Sequence, residues 1–364
     1  MFTVSRRDLG ELLALFRLVE EMSVPEATAE GKAAEERVEF EAVMREEEKV
    51  MKCYRREGNE VLIESSDSDE VVRLDLEEWR AAAGGFFEAL RQTDDENLVL
   101  VDDAEEAFLD KAKIYNIAGT GEGQNHLMLA TAAGLQPVGV WLRTGAFPTK
   151  ILDGGRSANL KLEQTGARFA TPMAAKVNAL TTPNTVRDRM LLVEEMGSTL
   201  RYANVADKVA VFYAGQVVER GTVHVGRLLT EMVRLSYMED VYRLDELAQR
   251  MNEVNPLKVK SELIEKHGYY EYKLKQLLMA CAAGMRPAKI YTGIEDLPPY
   301  RLILNPDGRP VAFPGGERAR LADFLFHHTR LERGSMEKDK YGELERENNV
   351  YYFKLNLKIA LAKR

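Results

Sequence analysis

Between Asp8 and Met22 the apolar residues Leu9, Leu12, Leu13, Leu15, Phe16 and Val19 recur at helical spacing with charges between them, which predicts an amphipathic helix. Residues 25–48 are acidic and Ala-rich and predict a second helical stretch. "KVMKCYRREGNEVLIES" then alternates apolar and polar positions on both sides of a glycine, the pattern of a hairpin. Asp75 stands where a cap is needed for the helix "LEEWRAAAGGFFEALRQ", and "ENLVLVDDAEEAFLDKAKIYNI" predicts short strands around an acidic bend. In "AGTGEGQNH" the glycines at 119, 121 and 123 do not fit a dinucleotide-binding loop, because position 124 is Gln, and no P-loop Lys-Ser follows. The segment reads as a turn.

Strands are predicted at 138–143 and 158–163, followed by a helix-rich middle that includes "GRLLTEMVRLSYMEDVYRLDELAQRMNEVNPL". The helix "YYEYKLKQLLMACAAGM" precedes a hairpin across "NPDG", and the helix "RARLADFLFHH" precedes a last hairpin in "YGELERENNVYYFKLNLKI", with Glu347, Asn348 and Asn349 at its tip. The series predicts an α/β (α+β) fold with a mixed, mostly antiparallel sheet and helical elaborations, in contrast to a doubly wound βαβ series.

A chain of 364 residues, 45% hydrophobic and 30% charged, carries enough apolar material for one large or two ordinary buried cores. Its apolar runs fall far short of the ~20 residues of a membrane span, and charges interrupt the N-terminus where a signal peptide is apolar, so a cytoplasmic protein with no membrane partner is expected. Cys53 and Cys281 are too few for a disulfide framework or a zinc site, and both read as buried and inert. The net charge of -9 is uneven. Residues 1–80 hold 22 acidic and 12 basic side chains, whereas Arg318 to the end holds 11 basic and 7 acidic. Such a tail suits a nucleic acid, although a solvated face of mixed charge gives similar counts.

"DGGRSANLK" offers backbone N–H groups beside Arg156, Asn159 and Lys161, which suits a nucleic-acid backbone or base edge; an ordinary tight loop is the competing reading. Asp102, Asp103, Glu105 and Glu106 read most simply as a solvated turn. His327 and His328 are adjacent and point to opposite sides, so they define no metal pair and no Ser-His-Asp arrangement.

The run "FLFHHTRLERGSMEKDKYGELERENNVYYFKLNLKI" resembles the closing segment of the HpaII family of type II restriction endonucleases, where Asn-Thr-Arg/Lys, a basic Ser/Thr-rich loop, an Asn-Gly hairpin and Lys-Leu-Asn-Leu-Gln-Ile recur. "NEVNPL" and "YYEYKLKQLLMACAAGMRPAKIYTG" resemble the family's Asn-Pro-Leu, its helix ending in Leu-Gly-Met and its Trp-x-Gly turn. The Gly-Phe-Ser-Ile-Lys-Ser block falls on Gly139 to Thr144, and the Leu-Leu-Asn-Ala-Ser and Thr-Asn-Phe blocks fall on Ile151 to Leu160.

The resemblance implies a PD-(D/E)xK restriction-endonuclease-like core, in which a strand carboxylate and a Lys hold Mg²⁺ and an attacking water at the scissile phosphate. It divides the chain into an acidic helix and hairpin region at 1–95, a nuclease-like core at 96–235 and a DNA-recognition region at 236–364. The family's Lys-Ala-Asp-Ile block falls on "LDKAKIYNI", which sets Lys113 at the metal-binding Asp, and Arg143 stands for the Lys of Ser-Ile-Lys. A lysine repels the cation, and arginine is not a conservative replacement for a catalytic lysine. Asp8 or Glu11 matches the family's helix-borne glutamates, and neither builds a metal site alone.

DNA contacts are assigned to Arg156, Asn159 and Lys161, and in the tail to Arg330, Lys338, Lys340, Asn356 and Lys358. The first expectation is a protein that binds double-stranded DNA with weakened or lost hydrolysis, as a homodimer or with a partner in a defence or modification assembly. An active Mg-dependent enzyme, with metal on Asp102, Asp103 or Asp110, is the alternative. An interaction protein using the acidic N-terminal part is the third. Expected besides is one mixed sheet carrying the strands around Lys113, Arg143 and Asn159.

Overall fold

In the computed structural model, which describes residues 1–117, 127–145, 147, 149–205, 225–287 and 296–362, the first helix begins where the sequence places it. A short strand, Phe2–Ser5 (β1), ends on Ser5, whose hydroxyl oxygen accepts from the Asp8 N–H and so caps Arg6–Glu21 (α1). Met22 closes the helix in the left-handed region at φ 52°. Asp75 likewise caps Leu76–Gln92 (α2), accepting from the N–H groups of Glu77 and Glu78.

The chain divides into two units, Met1–Thr149 with Leu297–Phe324, and Lys150–Asp296 with Leu325–Ala362. These limits differ from the three regions that the sequence suggests. The turn glycines at 119–123 and the Tyr-Thr-Gly turn at 291–293 lie outside the described residues.

In the first unit, residues 25–48 are not helical. They form Ser23–Ala27 (β2), Ala33–Glu39 (β3) and Ala42–Glu47 (β4). Burial of Val24, Ala27, Val38 and Val43 against the core outweighs the helix preference of the Ala and Glu residues. The remaining strands are Val50–Glu57 (β5), Glu60–Ser65 (β6), Ser68–Asp75 (β7), Leu98–Val101 (β8), Leu127–Thr131 (β9), Gly134–Leu142 (β10), Tyr300–Leu304 (β14) and Pro310–Pro314 (β15).

Ten strands make one mixed sheet in the order β3-β2-β15-β14-β10-β9-β4-β5-β6-β7. Its pairs are antiparallel except β10 with β14 and β15 with β2. β1 and β8 pair separately. The charged strand β3 forms one edge of the large sheet, and its exposed glutamates oppose pairing with another chain. After β8 the chain forms a helix, Asp103–Lys111 (α3), where the sequence predicts an acidic bend between strands.

Trp79 on α2 anchors this core. Its ring stacks on Phe16 at 3.9 Å, its Nε1–H donates to the Phe16 carbonyl at 2.9 Å, and Phe108 meets it edge-on. Trp79→Ala is expected to destabilise the protein by about 3–5 kcal/mol, the usual cost of deleting a buried aromatic side chain. Urea unfolding followed by circular dichroism measures it; a loss under ~1 kcal/mol would mean that the cavity collapses.

The second unit contains Lys150–Leu152 (β11), a 3-10 turn at Gly155–Ala158, Asn159–Gly166 (β12), Thr171–Ala179 (α4), Thr185–Glu195 (α5) and Ser198–Val205 (β13). Helices Val225–Glu239 (α6), Leu244–Val254 (α7), Ser261–Glu265 (α8) and Tyr269–Ala282 (α9) follow. Arg318–His328 (α10), whose residues up to Phe324 belong to the first unit, leads to Thr329–Leu331 (β16), Met336–Asp339 (α11), Leu344–Glu347 (β17), Val350–Asn356 (β18) and Ile359–Leu361 (β19).

Two small sheets organise the unit, β13-β12-β18-β17 and β11-β19-β16. Asn348 and Asn349, at φ 49° and 65°, make the two-residue turn between β17 and β18, the left-handed pair that matches strand twist. Cys281 is buried and desolvation pushes its thiol up to about 12, whereas Cys53 is only half-buried.

Candidate functional site

Arg143 follows the last residue of β10, at the sheet position where the family pattern has its lysine. Its N–H donates to the Leu304 carbonyl at 2.9 Å, continuing the pairing with β14. The side chain does not face solvent: Arg143 is 4% exposed. Its guanidinium lies 5.4 Å from the Phe324 ring centroid and 3.4 Å from Asn305 Oδ1. Asn305 in turn donates to the Gly31 carbonyl. Gly31 sits at φ 73°, and a Cβ there would come within 2.4 Å of the Phe324 ring, so the chain passes this niche only as glycine.

Two residues earlier stands Trp141, which sequence reasoning missed. In the family block aligned on Gly139 to Thr144 that position is the Ser of Ser-Ile-Lys, so the family pattern itself expects no carboxylate there. Trp141 is 8% exposed and the Arg301 guanidinium lies 4.3 Å from its ring centroid. The end of β10 thus carries an indole and a buried guanidinium, neither of which supplies an oxygen ligand for a metal ion.

Lys113 is not on a strand beside Arg143. It closes the turn after α3 at φ 55°, and its backbone carbonyl accepts from the buried Lys52 ammonium, which also pairs with Glu47. The neighbours of β10 are β9 and β14. Asn159 belongs to the four-stranded sheet of the other unit, so the single sheet expected around Lys113, Arg143 and Asn159 is not formed. The helix-forming run "DAEEAFLDK" explains the difference, because it turns the segment before Lys113 into α3.

Glu11 lies half-buried on α1, the helix that packs on β10 with Gly10 against Leu142. Asp102 is the exposed N-cap residue of α3, Asp103 pairs with the Met1 ammonium, and Asp110 is exposed on α3. No three His, Cys, Asp or Glu side chains among the described residues gather as a metal site. These residues therefore do not fit the Mg²⁺ that the family resemblance implies.

In the second unit the sequence-chosen residues do converge. Asn159 Nδ2 donates to the carbonyls of Asp339 at 2.8 Å and Lys340 at 3.1 Å. Asn356 Nδ2 donates to Asn159 Oδ1 at 2.8 Å and to the Gly155 carbonyl at 2.7 Å. Lys358 lies between two carboxylates, 3.3 Å from Asp153 and 3.1 Å from Asp339. Gly334 backs onto the cluster: a Cβ there would come within 2.2 Å of Asp339 Oδ2.

Burial raises the Asp153 pKa. The Lys150 hydrogen bond, the Gly155 N–H and the charges of Lys150 and Lys358 outweigh that, holding its carboxyl below the ordinary value. Asp153 and Asp339 are the partners that sequence reasoning missed. Only the Asp preceding the Gly-Gly bend carried a signal, as a turn residue.

The donors of this network bond inward, although Asn356 Oδ1 is buried without a hydrogen-bond partner, so Asn159, Asn356 and Lys358 position backbone. They tie the Gly155–Ala158 turn to α11, which packs against it. The outer side of the two tied segments carries Arg156, Lys338 and Lys340, all exposed and without a side-chain partner among the described residues. Arg330 pairs with Glu332, and Lys161 pairs with Glu347.

A large mixed sheet with helices, in which α1 packs on the strand that ends at Trp141 and Arg143, defines an α/β protein of the restriction-endonuclease-like class. The chain belongs to the HpaII restriction endonuclease family, whose model matches residues 5–361. The type II restriction enzyme HpaII of Haemophilus parainfluenzae is 29% identical over 132 residues, 36% of this chain and 36% of that enzyme. The match thus spans about a third of the relative's length. No solved structure matches the chain.

Proposed function

We propose that this protein binds double-stranded DNA, with the exposed cations of the Gly155–Ala158 turn and α11 on the phosphates, and that it has lost or nearly lost hydrolysis. Occupancy or recognition of DNA in a cytoplasmic defence or modification setting follows from that pairing of properties. The observation that carries the reading is the β10 end, where the Arg143 guanidinium, at the position of the family's lysine, is buried against Phe324 and Asn305. No helix among the described residues is long and apolar enough to cross a membrane.

Supporting the binding half are three cations, without a side-chain partner among the described residues, on two segments that a buried hydrogen-bond network holds in place. Phosphate contacts by Lys and Arg release counterions, each contributing about 0.9 to the slope of log affinity against log salt. The variant R156A/K338A/K340A is expected to bind a mixed-sequence duplex at least tenfold more weakly, with that slope reduced by roughly two to three. Fluorescence anisotropy across a salt series reads both quantities. Charge reversal at Arg55, which pairs with Glu64 in the first unit, serves as the control and changes little. A wild-type protein with no salt-dependent affinity refutes the reading.

A further inference from the structure

The polar face of the four-stranded sheet carries a pairing that stability alone disfavours. Lys161 on β12 lies directly opposite Lys354 on β18. Like charges at directly opposed positions repel. Each lysine is held by an acid of the edge strand β17: Lys161 by Glu347, and Lys354 by Glu345 at 2.6 Å. The Lys161 ammonium also lies 4.2 Å from the Tyr352 ring centroid.

Exposure of the four side chains is unequal. The lysines are 17% and 15% exposed, whereas Glu345 and Glu347 are 42% and 43% exposed. The cations therefore lie beneath and the carboxylates outside, on the strand at the sheet's edge.

We infer that Glu345 and Glu347 are built-in counter-anions of Lys161 and Lys354, and that the phosphates of bound duplex DNA displace them. A carboxylate and a phosphate oxygen offer an ammonium group the same kind of charge-assisted acceptor. Ion pairs with solvent-exposed members are weak, so the exchange is cheap. In the free protein the acids keep two opposed lysines folded side by side. In the complex the lysines turn to the backbone, and the released carboxylates take up cations from solution. Counterions freed from DNA are thereby partly offset, and these two lysines add little to the salt dependence of the wild-type protein. The inference rests on the DNA-binding reading above.

Affinity for a mixed-sequence duplex, measured across salt for the wild-type chain and for E345Q/E347Q, tests it. The double variant is expected to bind about tenfold tighter at physiological salt, with a slope steeper by about 1.8, the contribution of two phosphates. Adding K161M and K354M to that variant should return the affinity to the wild-type value or below. If the quadruple variant, whose net charge equals that of the wild type, binds as tightly as the double one, the gain comes from removing the two carboxylates and not from the lysines, and the inference fails. Equal affinities of wild type and E345Q/E347Q also overturn it. If R156A/K338A/K340A is still weakened in that case, the DNA-binding reading survives; a wild-type protein that binds no DNA removes both. Should E345Q/E347Q not fold, E345Q alone, with the Lys161–Glu347 pair intact, should gain about threefold, and no gain overturns the proposal.

Discussion

Purified protein supplied with Mg²⁺ or Mn²⁺ is expected to leave duplex DNA uncut over hours, under conditions in which a type II restriction enzyme completes digestion. Hydrolysis at neutral pH needs an activated water, and metal binding supplies it by lowering the pKa of the bound water below that of bulk water. That requires hard oxygen ligands, and the β10 end offers an indole and a buried guanidinium. Arg143→Lys alone should not restore cutting, because it adds no carboxylate to the β10 end. Incubation of plasmid and linear duplexes with either metal, followed by electrophoresis, measures the outcome. Specific, metal-dependent cutting by the unmodified protein would overturn the reading. Alanine replacement of Asp102, Asp103 and Asp110 in turn would then show whether any of them supports the reaction.

The largest stability effect in the second unit is expected at Lys358. Its ammonium lies between Asp153 and Asp339, so Lys358→Met leaves two carboxylates short of a cation. Breaking a buried ion pair from one side costs about 3–5 kcal/mol, and the lower end of that range applies because Asp153 retains Lys150. The cost should also depend on pH. The folded-state pKa of Asp153 is depressed, so its stabilisation is present above the unfolded value of about 3.9 and is lost as pH falls through the folded value. Removing Lys358 removes part of that contribution, and the deficit of the variant should shrink between pH 7 and pH 3. Urea unfolding at the two pH values checks it. A deficit below ~0.5 kcal/mol at pH 7, or one that does not change with pH, would show that Lys358 is a solvated surface residue.

Elements defined by local chemistry are legible in the sequence. The caps at Ser5 and Asp75, the hairpin through Asn305 and Gly308 and the Asn348–Asn349 turn each depend on a few neighbouring residues. Elements defined by their partners are not. β2 to β4 form because a sheet and a core receive them, against the helix preference of their own residues.

The site divides in the same way. Asn159, Asn356 and Lys358 belong together and the sequence names all three, yet it does not show that Asp153 and Asp339 claim them from beneath. The family resemblance sets Lys113 at the metal-binding Asp, on a strand expected beside Arg143, and the structure does not place it there. Its place depends on α3 ending just before it and on Lys52 reaching its carbonyl.

The order of strands in the large sheet bears on how the chain is made. β14 and β15 lie between β2 and β10, although β2 and β10 precede them by well over a hundred residues. Everything on either side of that hairpin leaves the ribosome first. From Leu142 to Leu304 is about 160 residues, or roughly ten to thirty seconds of synthesis at ~5–20 residues per second. Throughout that interval the nascent first unit has two unpaired strand edges facing a gap, and these are surfaces on which another chain can add. The gap closes only when Pro310–Pro314 emerges, so the middle of the sheet is the last part of it to be laid down.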